Sequence, residues 1–316
     1  LDDNQMLVGL LAQVSGSPIL GQFAEKWRAS IDLVPAAYLN RFPASIIIKH
    51  QPSPVVPVDP VGEESKHVEY PSVVRRGKEY LMYYCSFGQD NRWRIRMATS
   101  ADGLRWTKHG SVFRVDELPA TCQGNQAFPF VTEHTDPATG KPDYLMFFSS
   151  SSRPGLPYDK ICWARSDDGW NWKYGGVAID TGGLDPFFMV MPDKTYVMFF
   201  CVGGGQESSS IMMSTSYDGV KWTEPVPVLV EEAVHRGLYT ISGLSVQDTT
   251  CLLVETTVLT RHEMMLYVLK DGVLIPAGNN PVVVDRDWEK RWDTIRYGYN
   301  IVEDSGKYYV YYNGIT

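Results

Sequence analysis

The sequence predicts an all-β fold, a five-bladed β-propeller with a short N-terminal helical segment. Three observations predict it. A turn phrase, Ser-x-Asp-Gly-x-x-Trp, occurs at residues 100–106, 166–172 and 216–222, and a weaker copy at 270–272 lacks the Trp. Aromatic-rich runs begin at Tyr80, Tyr144, Tyr196 and Tyr308, with a fifth, less aromatic one at Cys251. Three of the runs before them carry a proline at the same place. An all-β unit repeated about every 50 residues is typical of propeller blades.

The first part of the chain differs from the repeats. Phe23, Trp27 and Ile31 recur at helical spacing, which predicts an amphipathic helix packed against the main body. We therefore assign residues 1–45 to a helical appendage and 46–316 to the propeller.

Each predicted blade has four antiparallel strands. A first strand leads through a polar hairpin into the aromatic second strand, and a third strand precedes the Asp-Gly turn. Asp-Gly supplies the positive φ of a tight turn, and the Trp gives the blade a large apolar side chain for its core. The chain ends at Thr316, two strands short of a complete fifth blade. We predict that residues 46–60 complete the last blade, because closure from both chain ends removes open sheet edges.

Composition excludes several classes of function. The net charge of −8 argues against a nucleic-acid partner, which needs a basic face. No apolar run reaches the roughly 18 residues of a membrane span. The five cysteines form no C-x-x-C motif, so neither a disulfide framework nor a metal site is indicated, and we expect no cofactor.

The sequence gives two indications of where in or outside the cell the protein is located. Buried reduced thiols favour the cytoplasm. The chain starts at Leu1 without Met, so a leader or further domains outside this sequence are possible. Secretion is therefore the alternative location.

Polar residues occupy the predicted starts of the inner strands, at one end of the axis, where propellers place their sites. The candidates there are His67, Glu69, Gln126, Asp185, His235, Arg236, Tyr239, Arg296 and Tyr297.

Acid-Pro or acid-x-Pro starts of inner strands, aromatic second strands and the turn phrase together resemble the arabinanase, xylosidase and invertase superfamily of glycoside hydrolases, and the related mannoside phosphorylases. The resemblance covers about residues 60–316. It implies a carbohydrate substrate and three axial acids: a base or nucleophile on blade one, a middle Asp that tunes the acid and holds a sugar hydroxyl, and a later Glu that is the acid. Two carboxyl groups flanking the glycosidic bond are what such a reaction needs.

Glu69, Asp185 and Glu255 are the matches that the resemblance implies. Glu69 departs from the pattern, because it is Glu and stands two residues before its Pro. The inner strand of blade four carries no carboxylate, so the third acid is Glu255 or one of Glu231 and Glu232. Glu255 replaces an aromatic found in the other four blades, which is costly unless the acid is paired or functional. A structural ion pair with His235 or Arg236 explains it as well as catalysis does.

The remaining candidates have two interpretations. His67, His235, Arg236 and Arg296 either bind hydroxyl, carboxylate or phosphate groups or are surface and blade-linking residues. Trp93 and Trp170 could stack on a sugar, and Gln126, Tyr239 and Tyr297 complete the predicted substrate contacts.

The sequence leaves three functions open. The first is a glycan-acting enzyme, a glycoside hydrolase with axial carboxylates as general acid and base. The second is a non-hydrolytic carbohydrate-binding propeller, or a domain of an enzyme that builds or modifies polysaccharide. The third is a protein-interaction propeller.

Overall fold

A computed structural model of the chain describes residues 54–136, 139–191, 193–203, 210–230, 238–246, 249–258, 261–270, 272–276, 295–304 and 307–315. Within these residues the chain is β structure, apart from two short 3₁₀ turns, η1 (Val115–Glu117) and η2 (Ala120–Cys122). Neither turn is long or apolar enough to cross a membrane. The predicted helix around Trp27 lies outside the described residues.

Over the described ranges, eighteen strands form five antiparallel sheets. The first sheet contains β1 (His67–Arg76), β2 (Glu79–Phe87), β3 (Trp93–Ser100) and β4 (Thr107–Ser111). The second contains β5 (Asn125–Thr135), β6 (Pro142–Ser151), β7 (Lys160–Ser166) and β8 (Lys173–Ile179). The third contains β9 (Leu184–Val190), β10 (Tyr196–Val202), β11 (Ser210–Ser216) and β12 (Val226–Val230). The fourth contains β13 (Leu238–Val246), β14 (Thr249–Val258), β15 (Arg261–Lys270) and β16 (Val273–Pro276). The last sheet contains β17 (Ile295–Asp304) and β18 (Lys307–Ile315).

The five sheets follow one another around a closed ring. The inner strands β1, β5, β9, β13 and β17 each contact the next one, and β17 contacts β1. This arrangement is a β-propeller, which confirms the predicted fold class. Four sheets are complete four-stranded blades, whereas the described residues give the last sheet two strands.

Closure of the ring involves the segment before β1. Residues 54–60 form no strand, but Val56 packs against the apolar cluster that joins Val73 of the first sheet to Tyr311 of the last. Residues 1–53 lie outside the described residues, so the completion of the last blade by residues 46–60 stays a prediction.

The turn phrase is held together by its own side chains. In the second copy, the Asp168 carboxylate accepts hydrogen bonds from the backbone N–H groups of Trp170 and Asn171, both at 2.8 Å. The Ser166 hydroxyl accepts the Gly169 N–H at 2.9 Å. The other two copies repeat this pattern at Asp102 and Asp218. Each turn therefore satisfies its backbone donors locally.

The Trp of each phrase packs against the apolar cluster that contains the core of its own blade, as the sequence analysis expected, and it also reaches the preceding blade. Each indole is half-buried and meets, edge to face, an aromatic ring on the second strand of the preceding sheet. The ring centroids are 5.8 Å apart for Trp106 and Tyr311, 5.4 Å for Trp172 and Tyr83, and 5.8 Å for Trp222 and Phe147.

Hydrogen bonds strengthen two of these seams. The Tyr83 hydroxyl donates to the Gly169 carbonyl at 2.5 Å, and the Tyr311 hydroxyl donates to the Gly103 carbonyl at 3.1 Å. The phrase thus repeats because it joins neighbouring blades.

Candidate active site

All five inner strands are irregular at the same place. The pairing register shifts within two residues of the strand start in every sheet, as a β-bulge does. These shifts make five residues equivalent around the ring: Tyr70, Phe128, Asp185, Tyr239 and Gly298. The next residue is proline in the first three sheets. Glu69 therefore precedes the position that Asp185 occupies.

The bulge residues adopt a conformation that is unfavourable for most side chains. Tyr70, Phe128 and Asp185 have φ of 54°, 54° and 52°, and Gly298 has φ of 66°. A non-glycine residue in the left-handed region costs of order 1–3 kcal/mol and persists only where the surroundings enforce it.

Neighbouring sheets provide that enforcement. The Tyr70 N–H donates to Asn313 Oδ1 at 2.9 Å, across the seam between the last sheet and the first. The Phe128 N–H donates to Cys85 Sγ at 2.9 Å. The Gly298 N–H donates to Glu255 Oε2 at 2.7 Å. These three bulge amides are thus each fixed by a second-strand side chain of the preceding sheet.

The bulges surround a small axial cavity of about 30 Å³. All five inner strands line it, through residues that include Tyr70, Phe128, Asp185, Ile241 and Gly298. A cavity of this size holds about one or two water molecules, so a sugar ring would have to lie outside it, toward the strand starts.

Glu69 lies on that outer side, one residue before the bulge. Its side chain is 13% exposed, and Oε1 lies 2.8 Å from Nδ1 of His67. Burial, followed by the charge of Glu69 and a hydrogen bond with it, raises the pKa of Tyr297. His67 and Tyr297 therefore both contact this carboxylate.

Asp185 lines the cavity and is 7% exposed. Burial raises the pKa of its carboxyl well above the ordinary value, and the nearby charge of Glu255 raises it further. Both effects favour the protonated acid, because a charge in this place is poorly solvated and faces another carboxylate.

Glu255 is fully buried. The strand register places it opposite the β13 bulge, at the position that Tyr84, Phe148, Phe200 and Tyr312 occupy in the other sheets. Its carboxylate accepts the Gly298 N–H. This bond gives the acid a partner across the seam between the fourth and last sheets.

Tyr70 shows that the three acids converge. Burial raises the pKa of its phenol, and the charges of Asp185, Glu255 and Glu69 raise it further, in that order. Acids from three different sheets therefore act on one hydroxyl group.

Sequence reasoning missed Tyr70, Tyr158 and Asn313. Burial raises the pKa of Tyr158, with smaller contributions from Cys85, Asp185 and Glu69, which places this phenol near the same acids. The sequence contains a signal for Tyr70: it directly precedes Pro71, as Asp185 directly precedes Pro186.

Trp93 and Gln126 are placed differently from each other. The Trp93 ring lies 5.7 Å from the ring of His67 and 5.0 Å from that of Phe87, beside Glu69. Gln126 is buried and donates from Nε2 to the Cys122 carbonyl at 2.6 Å. The structure thus places Trp93 against His67, and it commits the Gln126 amide to a backbone carbonyl.

The other candidates are described incompletely. Tyr239 and Arg296 lie in β13 and β17 and are described by their backbone only, whereas His235, Arg236, Glu231 and Glu232 lie outside the described residues. Trp170 lies on an outer turn, 4.7 Å from the ring of His109. In the part of the chain that the structure describes, no group of three or more His, Cys, Asp or Glu residues could hold a metal ion.

No protein-family model and no curated protein matches the chain. Solved structures do share its fold. A thermostable family-43 glycoside hydrolase aligns with a TM-score of 0.63 at 14% identity, over 81% of this chain and 86% of that one. A glycosyl hydrolase from Bacteroides ovatus aligns with a TM-score of 0.60 at 14% identity, over 80% and 82%. A β-1,2-mannobiose phosphorylase from Listeria innocua aligns with a TM-score of 0.60 at 14% identity, over 78% and 86%.

Proposed function

We propose that this protein is a glycan-acting enzyme that cleaves a glycosidic bond with axial carboxyl groups as general acid and base. The observation that carries the proposal is the convergence of Glu69, Asp185 and Glu255 on Tyr70, from three sheets, at one end of the axis. Glu255 and Asp185 repel each other in the interior, which is costly for a scaffold, whereas glycoside cleavage needs two carboxyl groups in different protonation states.

Asp185 is the proposed proton donor. Burial and the Glu255 charge favour its protonated form, which is the form that can protonate a leaving glycosidic oxygen.

Glu69 is the proposed base or nucleophile. It is the carboxylate nearer the strand starts, and its contacts with His67 and Tyr297 fix its orientation.

Glu255 has a different proposed role from the one that the resemblance implies. It is fully buried and bonded to the Gly298 N–H, so it is poorly placed to reach a substrate. We assign to it the maintenance of the raised pKa of Asp185. Trp93, with His67 and Tyr297, is the proposed sugar platform beside Glu69. The contributions of Gln126, His235, Arg236, Tyr239 and Arg296 to substrate binding stay predictions.

The substrate is proposed to be a carbohydrate, with support from the fold neighbours, which include glycoside hydrolases and a mannobiose phosphorylase. The test is release of nitrophenol from a panel of nitrophenyl glycosides by the full chain, with and without inorganic phosphate. Stimulation by phosphate would identify a phosphorylase, and phosphate-independent release a hydrolase.

Two variants locate the chemistry. We expect Glu69→Gln and Asp185→Asn each to lower kcat/KM by about 10²–10⁴-fold. Asp168→Asn is the matched control on an outer turn and should leave activity unchanged. Full activity in both axial variants would overturn the proposal.

One observation favours a second candidate, a propeller that binds carbohydrate without cleaving it. Glu255, one of the three candidates for the acid that the resemblance implies, is committed to a backbone amide. Calorimetric binding of an oligosaccharide that survives prolonged incubation intact would support this alternative.

A further inference from the structure

Two cysteines of the second blade are in direct contact. Cys122 Sγ and Cys162 Sγ lie 3.2 Å apart, and both residues are fully buried. Cys122 ends the 3₁₀ turn η2 in the connection between β4 and β5, whereas Cys162 lies in β7. A disulfide needs the two sulfur atoms at about 2.05 Å, so a shift of little more than 1 Å would join these elements.

A third polar group contacts both sulfur atoms. The Tyr174 hydroxyl lies 3.5 Å from Cys122 Sγ and 3.8 Å from Cys162 Sγ. The hydrogen bond between the two sulfur atoms lowers the pKa of Cys122, against the effect of burial, and the contact with Tyr174 lowers it further. The same bond, together with burial, raises the pKa of Cys162. The direction of these pKa shifts and the place of Cys122 in a turn outside the sheet favour Cys122 as the thiolate of the pair, the nucleophilic state of a thiol.

The other three cysteines are in a different state. Burial raises the pKa of Cys85, Cys201 and Cys251. Buried thiols of this kind are chemically inert.

We propose that Cys122 and Cys162 are an oxidation site, which hydrogen peroxide converts to an intramolecular disulfide. The Cys122 thiolate attacks one peroxide oxygen, the O–O bond breaks, and the departing hydroxide takes up a proton to become water. Cys122 is then a sulfenic acid. The sulfur of Cys162 attacks the sulfur of Cys122, the S–O bond breaks, and a second water leaves with the Cys162 proton. Two thiols have lost two electrons and the peroxide has gained them.

Access of peroxide to the buried pair requires a local opening of the β4–β5 connection. The β4–β5 connection consists of short turns, and segments of this kind open locally more readily than the strands of a sheet. The Cys122 carbonyl accepts hydrogen bonds from Gln126 Nε2 at 2.6 Å and Ser150 Oγ at 3.3 Å. A disulfide would therefore fix this connection where β5, an inner strand, begins.

The test is a thiol count and a peptide map of the folded full chain after hydrogen peroxide, compared with a reduced sample. We expect three free thiols instead of the five in the sequence. We also expect a mass loss of two hydrogen atoms, a single non-reduced peptide pair containing Cys122 and Cys162, and a melting temperature raised by a few degrees.

The variants assign the roles. Cys162→Ser should leave Cys122 as a sulfenic acid that dimedone traps, Cys122→Ser should prevent the reaction, and Cys251→Ala is the control that should still form the disulfide. Retention of five thiols by the folded wild-type chain, a linked pair containing another cysteine, or an intermolecular bond would overturn the proposal. These three outcomes are read from the wild-type chain, so they hold even where a variant fails to fold.

Discussion

Aspartates serve opposite purposes at the rim and at the axis of this propeller. At the rim, backbone N–H groups of the turn and the neighbouring Ser hydroxyl hold the pKa of Asp102 and Asp218 below the usual range. At the axis, burial and the charge of Glu255 raise the pKa of Asp185. The same side chain is stabilised as an anion in one region and as a neutral acid in the other.

The difference follows from where the partners come from. Each rim aspartate bonds to atoms of its own turn. Three blades can therefore have the same turn sequence, whatever their neighbours are. The axial acids interact with residues of other sheets, as Glu255 does with Gly298. Five inner strands that meet in one small space cannot all place the same residue there, so the copies differ.

The largest effect of a substitution, either at the axis or at the rim, is expected at Asp185. Asp185→Asn removes the proposed proton donor, and kcat/KM should fall by about 10²–10⁴-fold. Its effect on stability should have the opposite sign. Because the folded-state pKa is raised, the favourable contribution of the protonated acid is complete below the unfolded pKa of about 3.9 and is lost as pH rises toward the folded value.

The variant should therefore be more stable than the wild type at neutral pH, with a gap that grows by up to about 1.4 kcal/mol per pH unit above the unfolded pKa. Asparagine also tolerates the left-handed backbone of this position. Urea unfolding at pH 5 and pH 7 measures the gap. Equal pH dependence in both proteins would contradict the raised pKa.

A smaller effect is expected at the rim glycine that touches the preceding blade. Gly169 has φ of +73°, and a Cβ there would lie 2.6 Å from Leu81 Cδ1 and 3.1 Å from the Tyr83 hydroxyl. Gly169→Ala should cost about 3 kcal/mol of unfolding free energy, from the left-handed backbone and the overpacking together.

Gly77 provides the matched control. Its φ is +60°, and a Cβ there would meet nothing within 4 Å, so Gly77→Ala should cost only the backbone contribution, about 1 kcal/mol. Equal losses in the two variants, measured by urea unfolding, would show that the seam contact is unimportant.

The next smaller loss of stability is expected from substitutions of Asp168, the carboxylate of the second turn phrase. Asp168→Ala removes the acceptor of the Trp170 and Asn171 N–H groups and should cost about 1–2 kcal/mol, as the loss of a helix cap does. Asp168→Asn keeps an acceptor oxygen and should cost much less. Thermal unfolding of the two variants checks this, and an Asn variant as unstable as the Ala variant would count against local hydrogen bonding as the reason for the repeat.

The smallest effect is expected for Tyr83→Phe. The change removes the bond to the Gly169 carbonyl and keeps the ring against Trp172. The loss should be about 1 kcal/mol. Tyr311→Phe is the equivalent change at the seam that closes the ring. A much larger loss for Tyr311 in urea unfolding would show that closure depends on this bond more than other seams do.

The fold was largely predictable because its signals are local. The Asp-Gly turns and the aromatic second strands identify strands from a few residues each, and the structure agrees with the predicted alignment of Tyr84, Phe148, Phe200, Glu255 and Tyr312. The predicted place of each Trp in a blade core agrees with the structure, but its second contact was less predictable, because that ring belongs to the previous blade.

The axial site was predictable only in part. The sequence shows that Glu69 departs from the acid-Pro pattern by one residue, and the bulges explain why, since they make Tyr70 the equivalent of Asp185. A bulge inserts a residue through pairing with another strand, and a single strand does not show it except where X-Pro marks the place. The bond from Gly298 to Glu255 joins two sheets, and nothing in the spacing of these residues indicates it.

The contacts that the Trp ring and the Gly carbonyl of each turn phrase make with the preceding blade limit where blades can be recombined. Since the Trp and Gly of one repeat contact the second strand of the repeat before it, the interacting unit starts at the second strand of one blade and ends at the turn of the next. A chimera joined at the loops between blades would separate these partners. A crossover between β5 and β6 would also lie between Tyr83 and Trp172, so a shuffled propeller should fold only where both parents carry the second-strand ring and the Trp of the turn.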